Sequence, residues 1–342
     1  MVRALHTWTV PPVTAVAILW ALSLLAPAPA DALQVTGLKD PESFLVDPST
    51  GQYFISNVNG SPEAKDNNGF ITKLDKTGKV EQLQFIRGGD RDVVLHAPKG
   101  MAIGGQILYV ADLDVLRGFD KNTGRPVVSV SLAGQPARNG RAPALSDVAS
   151  DGQGLLYVSD TGTDTIYRID ASRQHAVTVL AHDSSLAEPR GLAVHPKTGR
   201  VIVVSWKNGT VLEISPQGTV TELVSNGFFS SRFRNLDGVD FDNWGNLYVS
   251  DFTAGKIWRM RWHDRHFDVI AEYLPTPADI GVDRENHLIL VPYLYGNAAE
   301  INGLERPRGS GEKKQKRTLA DYGFTMPGTG KPEEKKDELK AK

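Results

Sequence analysis

A degenerate internal repeat constrains this chain more than any other feature. Six short segments align, beginning at Pro41 (PESFLVD), Pro98 (PKGMAIG), Leu145 (LSDVASD), Pro189 (PRGLAVH), Leu236 (LDGVDFD) and Pro277 (PADIGVD), spaced 41 to 57 residues apart. Each leads through a tight turn into a second apolar run: Tyr53–Asn57, Leu108–Asp112, Tyr157–Asp160, Ile202–Trp206, Leu247–Asp251 and Leu288–Pro292. Third runs follow, as in Thr165–Asp170 and Lys256–Met260. Short β-branched and aromatic runs punctuated by Gly, Asn and Asp read as strands. A period of this length suits a four-stranded propeller blade, whereas the strands of a β-sandwich would show no such period. The predicted fold is therefore all-β, a six-bladed β-propeller. The last repeat offers three strands, Ala278–Val282, His287–Val291 and Ala298–Asn302, and Leu33–Thr36 is predicted to supply the fourth. An N-terminal strand would then close the ring and remove the edge between its ends.

Residues 1–30 read as an export signal, with Arg3 near the start, an apolar run Val13–Leu25 and a small-residue end Ala28-Pro29-Ala30. That run falls short of the roughly 20 apolar residues of a bilayer-spanning helix, so cleavage and no stable membrane insertion are expected. The chain has no cysteine, so an exported domain over 31–304 must hold itself without disulfides, by an apolar core. Formal net charge is −2 and neither sign dominates the domain, which points away from nucleic acid. Over 305–342 the composition turns to Lys, Glu, Gly and Pro, predicting a charged disordered tail. The expected location is the periplasm or exterior of a bacterium.

The turns after the first strands, such as Asp47–Gly51 and Asp242–Asn246, are short and look structural. The irregular segments 58–69, 87–97, 134–144 and 225–235 fall between second and third strands or between blades, which in a propeller places them on one face. Irregular loops on a rigid scaffold carry binding, so the channel mouth on that face is the candidate site. The second residue of each repeat lies beside the channel, and round the ring these are Glu42, Lys99, Ser146, Arg190, Asp237 and Ala278. They read either as a convergent ligand site or as channel-lining ion pairs, Glu42 with Lys99 and Arg190 with Asp237. Asn57, Asp112, Asp160 and Asp251 at second-strand ends read as turn caps, with Trp206 and Pro292 in their place in blades four and six.

These repeats resemble the calcium-dependent propellers of gluconolactonases, regucalcin, paraoxonases and strictosidine synthase-like proteins, over nearly all of residues 40 to 300. Leu108–Asp112 and Asn246–Asp251 also resemble NHL repeats. The resemblance implies calcium held by a Glu in the first blade, Asn side chains in middle blades and an Asp in a later one. Glu42 and Asp237 match the acidic ligands, and in a lactone or ester hydrolase they would take metal or acid/base roles. Ser146 and Arg190 stand where Asn is expected, and Lys99 adds a second cation. A cation about 6 Å from a divalent ion costs roughly 5 kcal/mol at a dielectric of 20.

The leading expectation is therefore a metal-poor, exported propeller binding a small anionic ligand through Lys99, Ser146 and Arg190. The alternatives are the metal-dependent hydrolase with catalytic Glu42 and Asp237, and a scaffold presenting Phe228, Phe229 and Phe233 to a protein partner.

Overall fold

A computed structural model describes residues 32–134, 141–227 and 232–305. They form six antiparallel sheets of four strands, one per repeat, and the inner strands contact one another in sequence order round a ring. These inner strands are Pro41–Val46, Pro98–Gly104, Leu145–Ser150, Pro189–Val194, Leu236–Phe241 and Gly281–Asp283. The protein is a six-bladed β-propeller. Leu33–Val35 is the outer strand of the sixth blade, with Leu33 opposite Ile301 and Val35 opposite Ala299, as the sequence predicts. The predicted signal segment and nearly all of the predicted tail lie outside the described residues. No described helix is long and apolar enough to cross a membrane.

The second strands are apolar on both faces because neighbouring blades cover them on both sides. Tyr53–Asn57, Val201–Ser205 and Asn246–Asp251 are buried throughout. Ala193, Ile202 and Val204 of blade four, for example, pack on Phe233, Val239, Phe241 and Val249 of blade five. Each such side chain removed from water contributes roughly 1.5–3 kcal/mol for the larger residues, so the ring of interfaces does the work that disulfides would do elsewhere.

One irregularity shapes the channel. In blades one to five the pairing of inner and second strands slips after the first repeat residue, between Pro41 and Phe44 and at the equivalent places. Bulges of this kind leave residues outside the ladder and bend the strand. The third repeat residue then bonds to a side chain: Ser43 N donates to Ser56 Oγ, Asp147 N to Ser159 Oγ and Gly238 N to Ser250 Oγ. Ser159 and Ser250 in turn donate to the carbonyls of Arg190 and Ala278 in the next blade. Adjacent inner strands lie so close that a Cβ on Gly238 would sit 2.3 Å from Ile280 N, and one on Gly191 2.3 Å from Asp237 O. Glycine is required there by space.

The sixth inner strand departs from expectation. Regular pairing covers only Gly281–Asp283, because Asp279 leaves its own sheet for a parallel bridge to Ser43 of blade one. Asp279 N donates to Glu42 O at 2.9 Å, and Phe44 N to Asp279 O at 3.2 Å, so the seam of the ring is stitched by backbone.

The caps at second-strand ends behave as the sequence suggests. Asp160, fully buried, accepts from Ala144 N, Gly162 N and Thr163 N, while Asp112 accepts from His96 N and Ala97 N. In blades four and six the sequence alignment is off by one. Pro189 pairs with Ser205 and Pro277 with Tyr293, so Ser205 and Tyr293 occupy the cap position and Trp206 and Pro292 do not. We expect Asp160→Ala to lower the unfolding free energy by about 3 kcal/mol, since it strands buried N–H groups. Urea denaturation of the variant checks this, and a loss within the error of the measurement contradicts it.

Candidate functional site

In a ring of six, blades one and four, two and five, and three and six stand opposite each other. The second repeat position therefore sets Glu42 across from Arg190, Lys99 across from Asp237 and Ser146 across from Ala278. Glu42, Ser146, Asp237 and Ala278 are buried, and Lys99 and Arg190 are half-buried. Arg190 spans the channel: its Nη1 lies 3.5 Å from Glu42 Oε1 and 3.6 Å from Asp237 Oδ1. Its guanidinium also lies over the Trp206 ring, 4.3 Å from the centroid. Arg190 Nε is buried without a hydrogen-bond partner.

This corrects the expected pairing. Glu42 forms its ion pair with Arg190 across the channel, while Lys99 in the next blade acts on it only at longer range, because the long forked guanidinium serves two carboxylates at once. Lys99 forms no ion pair among the described residues. Its ammonium is held below the usual lysine range, first by burial and then by the charge of Arg190.

Two further acids complete the channel, and sequence reasoning missed both. Asp147 and Asp279 occupy the third repeat position on the opposed blades three and six, where three other blades carry Gly and one carries Ser. An acid at a position otherwise restricted to the smallest residues was the available signal. Asp147 accepts from Val148 N and, in the next blade, Leu192 N, each at 2.6 Å. Burial nonetheless pushes its carboxyl up to about 8. Asp279 is pushed well above the carboxylate range by burial and then by the charge of Asp147. Burial, and then Asp237, raise Glu42 to about 7. Burial raises Asp237 too, against the pull of Arg190 and Lys99.

The physical result is a channel that holds its protons. At neutral pH Asp147 is mostly protonated and Glu42 about half so, and Asp279 is shifted in the same direction, while a guanidinium stays charged. Four carboxyls shifted toward their neutral forms thus offset the cations of the channel less than four ionised acids would.

Calcium does not fit this arrangement. It takes roughly six to eight oxygens, but a guanidinium stands within 3.6 Å of both matching acids, Glu42 and Asp237. No cluster of three or more Asp, Glu or His side chains among the described residues is placed to hold a metal ion. The inner strands carry no histidine.

The scaffold expectation is also corrected in part. Phe233 is buried, with its ring 5.2 Å from Trp258 and 5.1 Å from Phe267, and so offers nothing to a partner. Phe228 and Phe229 lie outside the described residues. At the far end of the channel a cavity of 340 Å³ is lined by Asp47, Asp240 and Asp283 among others. All three acids are already engaged, by Lys121, Arg284 and Tyr53 respectively.

No protein-family model matches the chain, and no curated protein matches it in sequence. Its fold is similar to solved structures. One is a structural genomics protein of unknown function from Bacteroides thetaiotaomicron (TM-score 0.60, 15% identity, 79% of this chain and 71% of that one). Another is virginiamycin B lyase from Staphylococcus aureus (TM-score 0.54, 13% identity, 80% and 99%). A catalytically inactive form of that lyase with quinupristin is a third (TM-score 0.52, 15% identity, 80% and 98%). At these identities the likeness is one of fold: the chain shares the six-bladed propeller.

Proposed function

We propose that this chain is an exported bacterial propeller that binds a small anionic molecule at the channel mouth through Arg190 and Lys99, with Ser146 beside them. In this reading residues 1–30 are removed on export, 31–304 form the propeller and 305–342 a charged tail. The chain is then a metal-poor relative of gluconolactonase- and regucalcin-type propellers. The carrying observation is that Lys99 has no ion pair among the described residues and Arg190 Nε no hydrogen-bond partner, while the neighbouring acids are driven toward neutrality. A carboxylate supplies the paired oxygens that such groups lack.

The sign of the pH dependence follows. As pH rises through about 7, Glu42 ionises and competes for Arg190, so affinity falls. Calorimetric titration with acetate is expected to show weaker binding at pH 8.5 than at pH 6, and none in Arg190→Ala, whose folding is checked separately by its thermal transition. Equal affinity in Arg190→Ala would refute the reading.

A second reading rests on Glu42 alone. A buried carboxyl near 7 is poised as a general base at neutral pH, as a lactone or ester hydrolase requires. That reading predicts turnover of a simple lactone, insensitive to chelator and abolished in Glu42→Gln.

A further inference from the structure

The cations at the mouth adjoin a row of aromatic rings that the anion site does not use. Trp206, under Arg190, has its ring 5.3 Å from that of Phe252, which is 5.8 Å from that of Tyr295. The three belong to blades four, five and six. All sit at the end of the ring where inner strands begin: Trp206 N donates to Glu188 O, Phe252 N to Asn235 O and Tyr295 N to Thr276 Oγ1. Glu188 and Asn235 immediately precede inner strands, and Thr276 immediately precedes Pro277, the first residue of the sixth repeat. Trp206 and Phe252 are half-buried, and Tyr295 is 71% exposed, so the row runs from the channel outward into solvent.

A row of large apolar side chains leading away from a pair of cations describes a ligand with an acidic head and an apolar body. We propose that Trp206, Phe252 and Tyr295 form the subsite for that body, and that the ligand is an aromatic monocarboxylate whose acid group meets Arg190 and Lys99. This rests on the anion-binding reading of the same mouth. Two observations favour an aryl body over a sugar. The rings are tilted at 56° and 79° to one another and form no flat platform, an arrangement that receives another ring edge to face. The flanking polar side chains are turned inward: Asn235 Nδ2 donates to Trp206 O, and Thr253 Oγ1 to Asn235 Oδ1, which spends on the protein the groups that sugar hydroxyls would need.

The test is calorimetric titration of the full chain with acetate, 3-phenylpropionate and glucuronate, in the natural protein and in Phe252→Ala, Tyr295→Ala and Arg190→Ala. Tyr295→Ala changes a largely exposed residue, which keeps the test independent of folding. The natural protein is expected to bind 3-phenylpropionate roughly tenfold or more tightly than acetate. Each aromatic substitution should reduce affinity for 3-phenylpropionate by about three- to tenfold. If 3-phenylpropionate binds no better than acetate while both still need Arg190, the aromatic subsite is overturned and the anion site stands. Glucuronate binding tightest, and weakened in Phe252→Ala, also overturns it, in favour of a sugar acid. Failure of all three acids to bind overturns both.

Discussion

Replacing Arg190 with methionine should lower the unfolding free energy by about 3 kcal/mol at pH 8 and by much less at pH 5. Removing one member of a buried ion pair leaves the other charge uncompensated, which costs about 3–5 kcal/mol. Here one guanidinium compensates both Glu42 and Asp237, but at 3.5 and 3.6 Å and with 23% of its side chain exposed, so the lower end of the range applies. At pH 5 Glu42 holds its proton and needs no counter-charge, and burial shifts Asp237 in the same direction. Methionine retains packing on Trp206 through its thioether, which separates charge from shape. Urea denaturation of both proteins at the two pH values measures the difference. An equal loss at both would contradict the role of Arg190 as counter-charge to Glu42 and Asp237.

The second large effect concerns the whole molecule. An acid whose folded pKa lies above its unfolded value stabilises the fold only while protonated. Its penalty grows as pH rises from the unfolded to the folded value. Glu42, at about 7 against an ordinary 4.5, contributes a loss of roughly 3–4 kcal/mol over that window, at roughly 1.4 kcal/mol per unit. Asp147, at about 8, extends the decline further, and Asp237 and Asp279 add to it. Asp47, Asp120, Asp170 and Asp283 act in the other direction. Side-chain or backbone hydrogen bonds hold them below the usual range, so their contribution is present above pH 4 and lost in acid. Stability is therefore expected to peak near pH 5 and fall steadily to pH 8. Asp279→Asn, which removes one raised group, should flatten that slope. Denaturation midpoints across the range decide, and stability rising between pH 5 and 8 would contradict the electrostatic account.

These effects were only partly legible in the sequence. The blades were, because a strand repeat of constant register is periodic, and so was closure by Leu33–Val35, because the last repeat is one strand short. What periodicity cannot see is a bulge. Alternation along a strand sends successive residues to opposite faces, so a reading that follows Glu42, Lys99 and Arg190 discards the residue after each. The slip after the first repeat residue voids that rule for Asp147, and the parallel bridge to Ser43 voids it for Asp279. The off-by-one placement of Trp206 shows the opposite failing: the run IVVSW resembles its counterparts as a string, whereas the pairing of Val194 with Val201 fixes the register one residue earlier. For Arg190, repeat order suggests partners in neighbouring blades only, whereas one of them, Glu42, stands across the ring.

Acids shifted toward neutrality leave Arg190 and Lys99 undercompensated and open to an anion. Calorimetric titration of the full chain with acetate at pH 7.5, in two buffers of different ionisation enthalpy, tests this most directly. The account predicts that binding takes up a fraction of a proton, because an anion on Arg190 drives Glu42 further toward its neutral form, and that Glu42→Gln removes the uptake. Binding with no proton uptake, or no binding in either buffer, would contradict it.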